Sequence, residues 1–519
     1  MTRPFRPHGI DPVRFEVLRN RFAALCEEMG VVLQRSAFSA NIKERRDFSC
    51  AVFDAQGEML AQAAHIPVHL GAMPLSARAA LAGTPLHPGD IVILNDPYEG
   101  GSHLPDITVL QGVFHRGRLQ FVLANRAHHA DVGGMSPGSM PVATEIYQEG
   151  LRIPPIRLVG GGQPHPALLS LLLANMRNPG EREGDLRAQL AALSHGERRI
   201  EELLRDVSRG EQASFSAAMR GYSAHVVGRV LRALPTGVYE AVDALEDDGV
   251  SGRPVPIRAR LTIGRGRAVV DLRDSADAVA GPLNAAVAVT LSCVYYVFRC
   301  LAPADFPANA GAMERIVVRT RPGSVLHALP PSAVCAGNVE TSQRLVDVLF
   351  AALAKALPGR IPAASQGTMN NVVIGGKGFT YYETIGGGAG GGPEGAGLSG
   401  VHTHMTNTRN TPVEAIEAAF PLRVEAYRLR RGSGGKGRHA GGEGIERAVR
   451  ALAPMEASLQ TERRRTGPPG SAGGGPGRPG RNTLVRGKRT TRLPSKGAVT
   501  LRVGDVLRVE TPGGGGYGR

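Results

Sequence analysis

Apolar positions along this chain recur with two periods, about 3.6 residues and two residues, and each change of period marks an element. Leu18, Phe22, Leu25, Met29 and Val32 follow one another at four- and three-residue spacing. Asp11-Pro12 precedes them, a pair suited to the N-cap and first position of a helix, so a buried helix is predicted there. IKERRDFSCAVFD (42–54) and the EMLAQ that follows read as a hairpin turning at Asp54 to Gly57. A second hairpin is predicted from Ile107–Phe114 and Leu119–Leu123, both rich in β-branched and apolar residues. Between them lies His115-Arg116-Gly117-Arg118, a polar break whose glycine takes positive φ.

Glu181 to Val207 is the most regular helical stretch. Leu186, Leu193, Ile200 and Val207 fall at seven-residue intervals with Leu190 and Leu204 on the same face, a packing surface for its own domain or a partner subunit. From Pro235 to Asp274 the two-residue period returns in VPIRARLTI and AVVDLRD, and Ala285–Cys300 reads as a buried helix. GNVETSQRLVDVLFAALAKAL (337–357) opens as a polar loop and continues as a helix with Leu345, Leu349, Leu353 and Leu357 on one face. The glycine-rich run 385–410 has the composition of a linker but ends in more polar groups than a linker needs. Residues 461–480 read as a Gly/Pro/Arg-rich surface loop, and the chain closes in short strands and a flexible glycine tract. The expected class is α+β (mixed α/β), multi-domain. The expected divisions are an N-terminal domain 1–215 carrying a metal-binding hairpin, a β-rich then helical middle domain 216–360, a Gly-rich active-site segment 361–450, and basic strands and tail 451–519.

Composition narrows the setting. At 519 residues the chain is long for one domain, and without tryptophan its cores must rely on Leu, Val and Ala. Cys26, Cys50, Cys293, Cys300 and Cys335 are scattered with no CxxC, which points away from a disulfide framework or thiolate zinc site. MTRPFRPHGIDP has no apolar core of a secretory signal, and the longest apolar run, Ala285 to Phe298, is too short to span a bilayer. A cytoplasmic protein with no membrane partner is expected. The net charge of +15 gathers after Pro421, where 21 Lys and Arg face 7 Asp and Glu. No aromatic RNA-recognition motif, helix-turn-helix or zinc finger accompanies it, so no nucleic acid partner is expected. A basic face for an acidic partner subunit or a phosphorylated intermediate fits better.

The candidate chemistry lies at the open end of the second hairpin. Folding its strands antiparallel brings His103-Leu104-Pro105-Asp106 beside Ala127-His128-His129. Two imidazoles and a carboxylate make a divalent-metal site with positions left for water or substrate, and the alternative is a polar cluster closed by hydrogen bonds. Asn95, Asp96, His129 and Asp131 converge on the same end, flanked by glycines at 100, 101, 133 and 134. His65 and His69 are spaced as on one helical face, but Pro67 opposes a helix through them and leaves them supporting roles. Glu149 and Arg152 suit either substrate contact or surface ion pairing. Asn338, Glu340, Thr341 and Gln343 sit at a helix start, where they either cap it or hold a phosphate or carboxylate. His402 and His404 share a face if extended, near Asn407, Glu414 and Glu417; substrate binding or proton transfer is assigned to His404 and Glu414, and substrate binding to Asn407. GSGGKGRH (432–439) fails the GxxxxGK[ST] pattern of a phosphate loop.

Seven ordered segments carry a family resemblance: IKERRDFSCAVFD (42–54), NDPYEGGSHLPDI (95–107), AHHADVGG (127–134), GNVETSQRLVDVL (337–349), HTHMTNTRNTPVE (402–414), RGSGGKGRHAGGEG (431–444) and TPGGGGYG (511–518). Together they resemble the B-type subunit of the hydantoinase/oxoprolinase family, whose relatives include the alpha subunit of acetone carboxylase. The resemblance implies a divalent metal (manganese in the carboxylase relatives, with zinc or iron as alternatives) held by His103, Asp106 and His128. It implies active-site roles for Glu44 and Asp47 within a charge run that otherwise reads as a solvated face. His129 or Asp131 would orient ligands or shuttle a proton. It further implies a hetero-oligomer in which a separate A-type subunit, not this chain, uses ATP to activate a cyclic amide such as a hydantoin, 5-oxoproline or another lactam. Two other readings remain: a subunit of an ATP-dependent ketone carboxylase, and a non-catalytic scaffold for the A-type chain.

Overall fold

Asp11 caps the first helix, α1 (Pro12–Ser36), by accepting the Arg14 N–H at 3.0 Å, and Phe15, Leu18, Phe22, Leu25, Met29 and Leu33 are buried along it. The protein is represented by a computed structural model that describes residues 5–63 and 66–519, so His65 lies outside the described residues. Further helices are α2 (Ala40–Lys43), α3 (His69–Gly83), α4 (Pro166–Ala174), α5 (Pro179–Arg205), α6 (Arg209–Ala233), α7 (Val287–Cys300), α8 (Ser342–Ala356) and α9 (Val413–Ala419). Among the described residues no helix is long and apolar enough to cross a membrane.

The N-terminal strands are β1 (Phe48–Asp54), β2 (Met59–Ala63), β3 (Ile91–Leu94), β4 (Asp106–His115), β5 (Arg118–His128), β6 (Ile156–Gly160) and β7 (Gln163–Pro164). They form one antiparallel sheet in the order β2-β1-β5-β4-β3-β6-β7. One face, with Val52, Val109 and Leu123, packs on α1 and α5; the other, with Phe53, Leu110 and Val122, packs on α3. Burial on both faces is why these strands read as unbroken apolar runs rather than as clean alternation. The β4–β5 turn is made by Arg116 (φ 51°) and Gly117 (φ 72°), the two positive-φ positions that match the twist of a tight hairpin. That turn sets a register with Asp106 opposite His128.

A second sheet, β11-β10-β9-β8, is built from β8 (Gly237–Leu245), β9 (Val255–Gly264), β10 (Arg267–Asp271) and β11 (Ile316–Arg319), and shares one core with α7 and α8. The expected polar loop before α8 is instead helical: Gly337–Thr341 forms a widened turn running straight into Ser342.

The C-terminal strands are β12 (Asn371–Gly376), β13 (Phe379–Thr384), β14 (Leu422–Arg430), β15 (Gly444–Ala451), β16 (Met455–Gln460), β17 (Arg481–Arg486), β18 (Arg489–Arg492), β19 (Lys496–Leu501) and β20 (Val506–Glu510). They form the sheets β13-β12-β16-β19 and β14-β15-β20-β17-β18, each drawing strands from both sides of residue 450.

The glycine-rich run after Ile385 and the terminal glycine tract are not a linker and a flexible tail. The expected surface loop 461–480 is mostly exposed or half-buried beyond its buried start at 461–464. The glycine-rich stretches run side by side as extended segments bonded through their backbones: Gly388 donates to the Pro512 carbonyl (3.0 Å), Gly442 to Ala389 (2.8 Å), Gly514 to Gly442 (2.9 Å) and Gly516 to Gly475 (2.9 Å). A Cβ on Gly388 would stand 2.0 Å from the Gly442 oxygen and 2.2 Å from the Gly514 nitrogen, so only glycine allows this spacing. Residues 511–517 are buried in this lattice, as are Thr461, Glu462, Arg463 and Arg464. The amides of Gly435 and Arg438, in the stretch that resembles a phosphate loop, donate to the Gly514 and Gly518 carbonyls.

Candidate metal centre

Because β4 begins at Asp106, β5 ends at His128 and the register pairs them, both side chains leave the sheet on the face that carries α3. His103 arrives from the turn before β4. Asp96 accepts the Tyr98 N–H at 2.9 Å, and the chain then reverses at Gly100 (φ 89°) and Gly101. A Cβ would stand 2.5 Å from the Leu75 backbone at the first glycine and 2.6 Å from the Asn95 carbonyl at the second. Asn95 pins this loop by donating to the carbonyls of Leu104 (2.7 Å) and Leu151 (2.9 Å) and accepting the Ile153 N–H (2.7 Å).

His103 Nε2, Asp106 Oδ1 and His128 Nδ1 lie 3.3 Å from one another along all three edges of a triangle. All three residues are buried. Nitrogen and oxygen donors about 2.0–2.2 Å from a divalent ion sit roughly 3 to 3.6 Å apart, so the triangle fits one face of a coordination shell. The other Asp106 oxygen lies 3.3 Å from His69 Nε2 and accepts the Ser102 hydroxyl. His69 Nδ1 is held in turn 2.9 Å from Ser49 Oγ. Behind them the buried Arg126 donates to Thr108 Oγ1 (2.8 Å) and Ser76 Oγ (2.7 Å).

Burial opposes charge on Asp106, but His103 and His69 outweigh it and hold the carboxyl well below the usual range. Burial likewise opposes a charged His103, yet Asp106 raises its pKa above that of an ordinary imidazole. At His128 burial wins, and the pKa falls. A carboxylate and two imidazoles are a donor set suited to a hard-to-borderline divalent ion.

A small cavity closes over the triangle, with Asp47, Asn338, Tyr382, Met405 and Thr408 on its walls. Asn338 Nδ2 stands 3.3 Å from His103 Nε2. The Asp47 carbonyl accepts the His128 N–H at 3.0 Å, and its carboxylate lies 3.5 Å from the Arg45 guanidinium. Arg45, in the run expected to be solvated, is fully buried and donates to the Tyr382 carbonyl (3.2 Å) and Thr384 Oγ1 (2.9 Å).

Other expected site residues lie elsewhere. Glu44 is half-buried at the end of α2 and outside the cavity lining. His129 is on the opposite side of the strand end from His128, with Nε2 2.9 Å from Gln189 Oε1 on α5, and burial lowers its pKa to about 4. Asp131 is no free proton shuttle: its oxygens accept the N–H groups of Gly133 (2.8 Å), Gly138 (2.8 Å) and Arg177 (3.0 Å) and the Arg177 guanidinium (3.1 Å). Glu340 accepts from the Met369 N–H (3.1 Å) and Asn371 Nδ2 (2.9 Å), and Thr341 donates to the Leu283 carbonyl, so both serve the local fold. His404 faces a different cavity, 3.5 Å from both Asp347 Oδ1 and the Tyr296 hydroxyl, while His402 meets Thr406. Asn407 and Glu414 are exposed. Glu149 is buried rather than a surface ion-pair partner; it accepts the Val334 (2.8 Å) and Cys335 (2.9 Å) N–H groups, and burial lifts its pKa to about 7. Arg152 pairs with Asp96 at 3.4 Å.

Residues 11–519 match the family described as hydantoinase B/oxoprolinase. The chain is 39% identical over 515 residues to an uncharacterized protein of Methanocaldococcus jannaschii, covering 98% of this chain and 91% of that one. It is 39% identical over 534 residues to 5-oxoprolinase 1 of Arabidopsis thaliana, covering 98% of this chain but only 42% of that protein. A putative B-type subunit of a D-/L-hydantoinase from a Pseudomonas species is 28% identical, with 98% and 90% covered. Among solved structures, the ATP-dependent caprolactamase from Pseudomonas jessenii superposes with a TM-score of 0.92 at 27% identity, over 98% of this chain and 91% of that one. Acetone carboxylase shares the fold at a TM-score of 0.88 and 17% identity, with 98% and 76% covered.

Proposed function

The chain belongs to the hydantoinase B/oxoprolinase family, and on that footing we propose that it is the metal-binding subunit of an ATP-dependent cyclic amidohydrolase. Its substrate is a hydantoin, 5-oxoproline or a related lactam, phosphorylated on the carbonyl oxygen by an A-type partner that handles ATP. The observation that carries the reading is the triangle of His103 Nε2, Asp106 Oδ1 and His128 Nδ1, 3.3 Å on each edge and buried, in a chain of this family. Similarity to a protein named as a B-type component of a hydantoinase supports the partner, as does an oxoprolinase with more than half its length outside the region matched here.

His103, Asp106 and His128 would hold the ion, manganese, zinc or iron. When bound, such an ion lowers the pKa of a coordinated water and polarises the carbon under attack. Asp47, on the cavity wall, accepts the proton of the attacking water, and the Asn338 amide orients the substrate oxygen beside His103. Val339, Met369 and Met405 line the same space with apolar surface, which excludes bulk water from it. Attack leaves the carbon bearing the new hydroxyl, the phosphate and the ring nitrogen. The ring C–N bond breaks as the nitrogen takes back the proton held by Asp47, and a second water hydrolyses the resulting open-chain acyl phosphate to the carboxylate and free phosphate.

Metal content by elemental mass spectrometry tests this, with wild type beside the His103→Ala/His128→Ala double variant. Near one equivalent in the wild type and none in the variant is expected, together with loss of ATP-dependent ring opening in the reconstituted complex. An empty wild type that still turns over with its partner would remove the chemistry from this triangle. Full activity with His103, Asp106 and His128 all changed to alanine would instead make the chain a scaffold.

A further inference from the structure

A metal-bound histidine ordinarily donates its second ring N–H to a carboxylate, carbonyl or water, and that bond fixes the plane of the ring. His128 presents Nδ1 to the triangle, and its Nε2 has no hydrogen-bond partner among the described residues. Its ring is held by its face instead. It lies against the Tyr382 ring with centroids 4.5 Å apart and planes 16° from parallel. The Arg45 guanidinium stands over the same Tyr382 ring at 4.7 Å from its centroid.

Tyr382 has little freedom of its own. Its hydroxyl donates to Asn371 Oδ1 at 2.9 Å, and Asn371 Nδ2 is committed to Glu340 Oε1 and the Gln460 carbonyl, both at 2.9 Å. Its backbone is paired within β13, opposite Val373 of β12. Arg45 is itself fixed by donating to Thr384 Oγ1 and to the Tyr382 carbonyl.

We propose that Tyr382 is a positioning residue of the metal centre: its ring face sets the plane of the His128 imidazole and aims Nδ1 at Asp106 and His103. The inference rests on the metal reading above and adds to it a C-terminal residue that orients a ligand on the N-terminal sheet. The ring face, not the hydroxyl, carries the effect.

The full chain is stripped of metal and titrated with cobalt(II), reading the d–d absorption spectrum and the dissociation constant by chelator competition. Tyr382→Phe, which keeps the face, is expected to bind within a few-fold of wild type with the same spectrum. Tyr382→Leu and Tyr382→Met, which remove it, are expected to bind about ten-fold or more weakly, with a shifted spectrum from the reoriented ligand. Circular dichroism and thermal unfolding decide which of the two is folded enough to count. Wild-type affinity and spectrum in a folded Leu or Met variant overturns the inference, and so does a Phe variant as weak as these, since the hydroxyl would then be the cause. No cobalt bound by wild type at any concentration overturns the metal reading itself, a failure distinct from that of the stack.

Discussion

Glu340, buried beside Glu462 and outside the cavity lining, offers a measurable charge within the core. Burial first, and the neighbouring Glu462 carboxylate second, lift its pKa from an ordinary 4.5 to about 7. A carboxyl whose pKa is higher folded than unfolded is one whose charged form the fold resists. Its penalty is absent below about pH 4.5, grows between 4.5 and about 7, and is full above that. At about 1.4 kcal/mol per pH unit, the ionised side chain costs the folded state about 3 kcal/mol. Glu340→Gln keeps an oxygen where Oε1 accepts the Met369 N–H at 3.1 Å and Asn371 Nδ2 at 2.9 Å, and places a neutral amide toward Glu462. The variant is therefore expected to exceed wild type in stability by about 3 kcal/mol at pH 8, by less at pH 6, and by nothing below pH 4.5. Urea unfolding of both proteins at several pH values reads the difference. A gap that does not change with pH, or a variant less stable at pH 8, would refute the reasoning.

Gly388→Ala places a methyl 2.0 Å and 2.2 Å from two backbone atoms that cannot yield, so a loss of about 3 kcal/mol or more in thermal or urea unfolding is expected. Gly395→Ala, with nothing within 4 Å, is its control and should stay within about 0.5 kcal/mol of wild type. Asp131→Asn removes charge from a buried carboxylate that accepts three backbone N–H groups and pairs with Arg177, and should cost about 2 kcal/mol in the same assay. Bound metal per folded chain and turnover per bound metal should stay at the wild-type level in that variant; a specific loss of turnover would restore Asp131 as a proton carrier.

What the sequence conveys about the site follows the range of the signal. The second hairpin is legible because period-two strands flank a glycine turn, and a hairpin's turn sets its register. Asp106 opposite His128 follows from those local features alone, and His103 follows from its short tether to β4. The same periodicity also says that adjacent residues at a strand end face opposite ways, which separates His128 from His129; that signal was present in the chain. Arg45 and Asp47 carried no such signal. A run of five charged residues, 43–47, reads as solvated, and two of them, Arg45 and Asp47, are buried where β13 and the segment around Thr408 close over them. The stretch 337–341 has poor helical propensity and is made helical by burial against the α7–α8 core.

The glycine runs mark the limit of local reading most clearly. One run alone has no side chain to bury and no period, so linker is the natural reading. Each becomes structure only beside the others, when close backbones supply the hydrogen bonds that sheets elsewhere take from regular strands, as between Gly388, Gly442 and Gly514. The same dependence holds at the triangle. Its three donors are neighbours through one hairpin, but Arg45, Asn338 and Tyr382 reach them from segments widely separated along the chain. A local motif therefore identifies which atoms can bind an ion. Only the packing of the N-terminal sheet on β13 and the widened turn before α8 determines how those atoms are aimed, and so the geometry of any chemistry there depends on the whole fold.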